Sequence, residues 1–279
     1  METLREILSY ALYSFLAVAA LGAVVAFFKE PRRSPREALS NFVIYAMSKS
    51  WRDYVMRSIE VAILVGVYAY APYKLPMTAW ALALTLLAAD FVYYWKHRSE
   101  HGVRLLWAYH SVHHSSTEYN RTTAFRLPWL GSLLGLTFYL PMVLMGFHPL
   151  MVILARQLVL LYQFWIHTEK VGSLGWFDGV FNSPSNHRVH HGSNRIYLDR
   201  KHGGILIIWD RLFGTYQKEL SEVPVVYGLT HPLGTRNPLL VNMHEPIAIV
   251  RDVRAASSVS DAVGYVFRGP GWKPAPLAY

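Results

Sequence analysis

Long uncharged stretches alternate with short polar ones along this chain. Residues 8–28 and residues 127–147 are each 21 positions without a charged side chain. A helix that spans a bilayer needs about 20 apolar residues. Two further apolar stretches, 57–73 and 77–95, flank the break "APYKLP"; the first carries Arg57 and Glu60 at its start. The turn "GFHP" separates 127–147 from a fifth segment, 149–166, which is interrupted by Arg156. A charge in mid-segment is expensive in lipid, so this last pair is expected either to dip in as a re-entrant hairpin or to turn Arg156 toward a polar pocket. The pattern predicts an all-α membrane protein of four to five transmembrane or re-entrant helices. Core helices of a large soluble protein are the competing reading, but uncharged runs of this length are the usual membrane signal.

The polar stretches orient the helices. "KEPRRSPR" at 29–36 opens a basic loop, 29–57, that the positive-inside rule assigns to the cytoplasm. The remaining segments then pair as hairpins, and the polar stretches following residues 95 and 166 return to that same side. Residues 8–28 do not resemble a signal peptide, because no basic n-region precedes them and no small-residue cleavage site follows. After residue 217 scattered Pro and Gly suggest a soluble wrap, so 1–279 is expected to be one integral-membrane domain.

Composition agrees with this picture. Hydrophobic residues make up 53 % of the chain and charged residues 16 %, against about a quarter charged in soluble domains. In so apolar a chain, the net charge of +9 points to anionic lipid and not to nucleic acid. Cysteine is absent, which excludes disulfides, thiolate metal sites and a thiol nucleophile.

Histidine supplies the candidate chemistry. His97 and His101 form H-x3-H; His110, His113 and His114 form H-x2-H-H; His187, His190 and His191 repeat it; His167 stands alone in "QFWIHT". Positions i, i+3 and i+4 of a helix share one face, so each cluster presents its imidazoles in one direction. Ser183 and Pro184 supply the cap and first position of a helix over the last cluster. A helix running from 77 to 101 would carry His97 and His101 just past the membrane surface. Asp90 lies about 10 Å deeper on the same face, where it could orient a ligand, line a lipid entrance or be satisfied by a neighbouring helix. Neutral imidazole binds iron, zinc, copper or nickel, and eight or nine histidines exceed one site and fit two metals close together. His202, 11 residues past the last cluster, is a candidate tenth ligand. Ligating imidazoles commonly donate their other N–H to a carboxylate or carbonyl; the candidates are Glu100, Glu118, Asp199 and Asp210.

The stretches "DFVYYWKHRSEH", "LLWAYHSVHHSSTEYNRTTAFR" and "QFWIHTEKVGSLGWFDGVFNSPSNHRVHHGSNRIYLDRKHGGILIIWDRLFGTY" resemble the fatty acid hydroxylase / sterol desaturase superfamily of membrane di-iron enzymes. They are most similar to its alkylglycerol monooxygenase-like branch. The resemblance covers about 90–216, in the superfamily's order and spacing. It implies two iron ions held on the cytoplasmic face, with O2 as co-substrate and a C–H bond of a fatty acyl, sterol or alkyl glycerol lipid as target. Carried over by motif, the ligands are His97, His101, His110, His113, His114, His187, His190 and His191, with His167 matching the extra histidine between the second and third boxes. Two departures weigh against that branch's ether-lipid substrate and its tetrahydrobiopterin: Gly102 stands where the branch has a glutamate after the first box, with Glu100 inside the box instead, and the branch's longer C-terminal membrane region is not seen.

Together these readings predict a membrane lipid hydroxylase or desaturase whose apolar helices form a dry channel under a histidine-rich cap. Asp90, Glu100 and Glu118 are its candidate supporting carboxylates. The chain carries no dinucleotide fingerprint, haem-attachment motif or Fe–S cysteine set, so electrons are expected from a separate reductase or cytochrome. The rival is a histidine-rich membrane protein that binds or transports metal without oxygenase activity; it would set its histidines within the spans, whereas these crowd beyond the ends.

Overall fold

The computed structural model describes residues 34–275. Among these the architecture is all-α. Eight helices carry it: α1 (Pro35–Trp51), α2 (Arg57–Ala69), α3 (Ala79–Gly102), α4 (Arg104–His114), α5 (Pro149–Ile166), α6 (Pro184–His190), α7 (Pro238–Arg254) and α8 (Val259–Phe267). Shorter helical turns lie between them.

The centre is the pair α3 and α5, the most extensively packed helices in the molecule. Both run toward the histidines, α3 carrying His97 and His101 in its last two turns and α5 ending where His167 begins. Their far ends pack on an apolar core of Leu64, Ala89, Tyr139, Met142, Val152 and Ala155. A single extended residue, Val103, turns the chain from α3 into α4, which folds back against α3. Arg126 closes the far end of α4: its Nε donates to the carbonyl of Val112 (3.0 Å) and to Ser115 Oγ (2.9 Å). Its Nη1 donates to Glu37 Oε1 (2.9 Å) and Asn41 Oδ1 (2.8 Å), which ties α1 to the same point.

Several segments differ from the expectations. Residues 8–28 lie outside the described residues. The basic stretch 29–57, expected as a loop, is helical from Pro35 onward: the Ser34 hydroxyl accepts from Glu37 N (3.3 Å) and Pro35 takes the first position, a helix start that charge counting overlooks. A π-helical turn, Arg52–Met56, joins α1 to α2. Thus 57–73 is the second part of a longer helix that ends at Ala69. Of the apolar segment 77–95, residues 79–95 lie in α3, which runs on to Gly102. Residues 127–147 do not form one helix but two short ones, Ser132–Thr137 and Leu140–Leu144. Pro141 enforces the break, since it has no N–H to donate and crowds the carbonyl of the preceding turn. The segment 149–166 is α5, and among the described residues it is the one helix long and apolar enough to cross a membrane. The number of spans therefore stays an expectation. Large apolar side chains nevertheless face outward along α1, α2 and α3, among them Leu39, Val43, Ile59, Val65, Trp80 and Leu84. Exposed apolar surface on this scale marks contact with lipid or another apolar partner.

The tail is more ordered than its Pro and Gly suggest. Helices α7 and α8 pair and pack on α4. Arg104, at the start of α4, holds them there through Glu245 (2.7 Å) and Asp252 (2.8 Å), and its backbone N–H donates to the carbonyl of Arg268 (2.9 Å).

Candidate metal centre

Helix α6 starts as its sequence predicts: the Ser183 hydroxyl accepts from Asn186 N (3.3 Å) with Pro184 at the first position. It brings His187, His190 and His191 against the face of α4 that carries His110, His113 and His114. The nine box histidines then form two groups. His97, His101, His110, His114 and His190 make the first; His113, His167, His187 and His191 make the second. Within each group the potential ligand atoms all lie within 4.8 Å of one another.

The two H-x2-H-H motifs exchange members. His110 and His114, one helical turn apart, join the first group while His113 joins the second. His187 and His191 join the second while His190 joins the first. Adjacent histidines on a helix point about 100° apart, so each motif can serve two neighbouring centres. The groups touch through His114 and His191, whose ring centroids are 4.5 Å apart.

Ring orientation favours metal binding. The Nδ1 atom of His97 donates to the carbonyl of His202 (2.9 Å), that of His167 to Gln163 O (2.7 Å) and that of His190 to Arg200 O (3.2 Å). Donation from Nδ1 fixes the tautomer and leaves the Nε2 lone pair directed inward. The Nε2 atoms then meet: His97 and His110 at 2.9 Å, His110 and His114 at 3.0 Å, His167 and His187 at 3.0 Å, His187 and His191 at 3.2 Å, His113 and His167 at 3.3 Å. Lone pairs so placed repel unless a cation lies between them. Two nitrogens each ~2.1 Å from a common ion stand ~3.0 Å apart at a right angle and ~3.4 Å apart at the tetrahedral angle. The observed spacings fit that range. His101 Nε2 and His190 Nε2, both in the first group, are buried without any hydrogen-bond partner, which a metal would also explain.

Burial holds the imidazoles neutral. It pushes His113 down to about 4 and holds His97, His110, His114, His167, His187, His190 and His191 well below the usual imidazole range, with neighbouring rings adding to the effect for each. For His113, burial is followed by the opposed influences of the Arg126 backbone and charge. Neutral imidazole is the ligating form.

The other sequence candidates take varied places. His202 stands outside both groups. Its ring lies 5.0 Å from that of His101, its carbonyl receives His97, and its own Nε2 meets Asp199 O (3.2 Å). Glu100 binds Lys96 (2.6 Å) and places Oε2 3.7 Å from His110 Nδ1. That separation is too long for a hydrogen bond, yet the oxygen is buried and has no partner. Asp90 accepts from Ile205 N (2.6 Å), Leu206 N (3.1 Å) and Trp209 Nε1 (2.9 Å), in the segment that follows His202. Glu118 lies away from the centre, with its carboxylate receiving Ser34 N at 3.1 Å. Asp199 Oδ1 lies 3.4 Å from His101 Nδ1 on an exposed side chain. Asp210 receives the N–H groups of His202 (2.7 Å) and Gly203 (2.8 Å) and thereby sets the loop that supplies carbonyls to His97 and His190. In that loop Asp199 and Lys201 have φ of 53° and 59°, a conformation non-glycine residues rarely adopt without surrounding support.

Sequence reasoning missed the aromatic and cationic supports. The Trp107 ring lies against His101 and His114, at 5.2 and 5.7 Å between centroids. Tyr119 stacks on His167 at 5.7 Å and donates its hydroxyl to Ile166 O (3.1 Å). Arg188, inside the last box, clasps Glu219 through two contacts of 2.7 Å and also donates to Thr168 O and Val171 O. Its place between two histidines of the motif was visible; its partner, 31 residues on, was not.

Two adjoining groups of buried imidazoles at the end of a helical bundle define a histidine-box protein able to hold a pair of metals. Residues 82–215 match the family model described as fatty acid hydroxylase, and the chain belongs to that family. It is 42 % identical over 224 residues to an alkylglycerol monooxygenase of Xenopus tropicalis, covering 80 % of this chain and 50 % of the relative. To the alkylglycerol monooxygenase of Homo sapiens it is 37 % identical over 280 residues, covering 98 % and 62 %. A match to ornithine lipid hydroxylase OlsE of Rhizobium tropici is 31 % identical over 161 residues, covering 57 % and 48 %. The chain thus spans about half to three-fifths of the length of these curated relatives. No solved structure matches it.

Proposed function

We propose that this chain is a membrane-bound di-iron oxygenase that uses O2 to hydroxylate or desaturate a C–H bond of a lipid. The observation that carries the reading is the pair of imidazole groups, five and four strong, meeting at His114 and His191. The first group would hold one iron and the second the other, with His202 as a supporting residue that orients His97. A bound iron pair supplies the activation of O2 needed to attack an unactivated C–H bond.

The protein's own residues do the rest. The carbonyls of His202, Gln163 and Arg200 aim three of the imidazoles. Glu100, beside His110, is placed to receive its Nδ1 proton after a small approach and so to raise its basicity as a ligand. Trp107 and Tyr119 cover the rings and keep water from them, which protects a reactive centre from side reactions. A conduit for metal ions would line the helices with ligands along their length; here the described metal-ligating groups gather at one end of α3 and α5.

Alkylglycerol and ornithine lipids, named in the relatives, are the first substrates to test. The centre is read as facing the cytoplasm, where a separate reductase or cytochrome would supply electrons. The deciding experiment is lipid mass spectrometry of cells with and without the protein under 18O2. Purified-protein assays then compare tetrahydrobiopterin with a reductase–cytochrome pair as reductant. The reading predicts a lipid product that is lost in His190→Ala; a hydroxylated product would carry one 18O, a desaturated one none. An unchanged lipid profile with every substrate and reductant would remove it.

A further inference from the structure

Arg156 occupies the middle of α5, the one described helix that passes the length and composition test for a span. It is seven residues from the near end, about 10 Å along the axis. It is only partly buried. Its guanidinium rests over the Tyr139 ring at 4.8 Å, and no carboxylate among the described residues pairs with it. The neighbouring side chains Val152, Ala155, Met142 and Val143 belong to the apolar core. An ionised side chain at membrane depth without a counter-charge is costly and is the usual mark of a functional site. A cation–π contact offsets only part of that cost.

The position along α5 gives the cation a purpose. Gln163 and His167 follow Arg156 by 7 and 11 residues. At 100° per residue both fall within about 20° of it, on one stripe of the helix. Gln163 receives the Tyr93 hydroxyl (2.9 Å) and His167 belongs to the second imidazole group. Arg156, Gln163 and His167 thus mark one stripe of α5 that leads to the metal centre, with Val159 and Leu160 between the first two and Arg156 about 16 Å below His167.

We infer that Arg156, seated on Tyr139, is a binding site for an anionic oxygen group of a lipid, a carboxylate or a phosphate, lodged below the metal centre. A planar guanidinium matches either group through paired N–H donors, which a lysine ammonium does not. Anchoring one polar group at a fixed distance below the histidines would set which carbon of the attached chain reaches them. The inference deepens the lipid-oxygenase reading and rests on it for its purpose, but binding is measured without turnover, so the two can fail separately.

The test is native mass spectrometry of the purified full chain in detergent with four added lipids: palmitic acid, methyl palmitate, lysophosphatidic acid and monopalmitin. Wild-type protein should retain at least one acid over its neutral counterpart by about tenfold or more, the scale of a charge-assisted hydrogen bond. Preference for palmitic acid assigns a carboxylate and preference for lysophosphatidic acid a phosphate. Arg156→Leu should bring acid and neutral lipid within about twofold while melting no lower than wild type, and Arg156→Lys should keep part of the preference. Equal retention of acids and neutral lipids by the wild type would overturn the inference without recourse to any variant. So would an acid preference that survives in Arg156→Leu.

Discussion

His114 and His191 lie ring on ring, with centroids 4.5 Å apart and planes inclined by 25°. Each is the last histidine of an H-x2-H-H motif, yet they belong to different groups. Their contact is where the two imidazole groups adjoin, and each motif contributes to both groups.

That exchange makes the ligands separable. His167→Ala removes a member of the second group alone, and His97→Ala a member of the first alone. Each variant should lose metal preferentially from one centre, so that content falls from about two ions per chain toward about one. Elemental analysis of matched preparations checks this, and full metal content in both variants would contradict it.

The metal-free protein should lose stability as pH falls. Burial holds His113 at about 4 and most of its partners well below the usual range, whereas the same side chains titrate near 6.5 when unfolded. Between those values the unfolded chain binds more protons than the folded one, so stability rises with pH across that window and drops on acidification. Each affected histidine contributes up to about 1.4 kcal/mol per pH unit. Melting of chelator-treated protein between pH 4 and 7 measures it; a flat profile would mean the rings are not buried neutral.

Asp90 tests how the loop after α6 supports the centre. It alone receives Ile205 N, Leu206 N and Trp209 Nε1. Packing is tight here: a Cβ added at Gly204 would come within 2.6 Å of Val159 Cγ1 and 2.8 Å of Asp90 Oδ1. Asp90→Ala should cost roughly 3 kcal/mol or more, because three donors lose their acceptor. It should also loosen the segment whose His202 carbonyl aims His97. Trp209 fluorescence and melting temperature report the two effects, and Asp90→Asn should be milder in both.

Arg126→Leu should be among the most damaging changes outside the histidines. The side chain is 1 % exposed, and its removal leaves the Glu37 carboxylate in the interior with only Ser116 and Arg236 as partners. Breaking a buried pair from one side typically costs about 3–5 kcal/mol. Denaturant unfolding of the variant checks the size; a loss below about 1 kcal/mol would mean that water reaches the pair.

Much of the centre was legible because its logic is local. The spacings of His97/His101, His110/His113/His114 and His187/His190/His191 encode a helix face, and Ser183–Pro184 encodes the start of α6. What could not be read depends on contacts remote in sequence. Which histidine serves which group follows from how α4 and α6 face each other. The carboxylate partners of Arg126 and Arg188 lie 89 and 31 residues away, and the donors to Asp90 115 or more. Helix α1 was missed for another reason: the arginines of 29–36 suggested a loop, while Ser34 and Pro35 carried the local signal. The break in 127–147 was foreshadowed by Pro141, but apolar continuity cannot tell one long helix from two short ones.

The central claim is that the two groups hold a pair of irons side by side in unlike ligand sets. Mössbauer spectroscopy of protein expressed with 57Fe tests it most directly. Five imidazoles in one group and four in the other predict two iron signals of about equal area with distinct parameters. A single iron signal at one ion per chain, or protein that takes up zinc and no iron under the same conditions, would contradict the account.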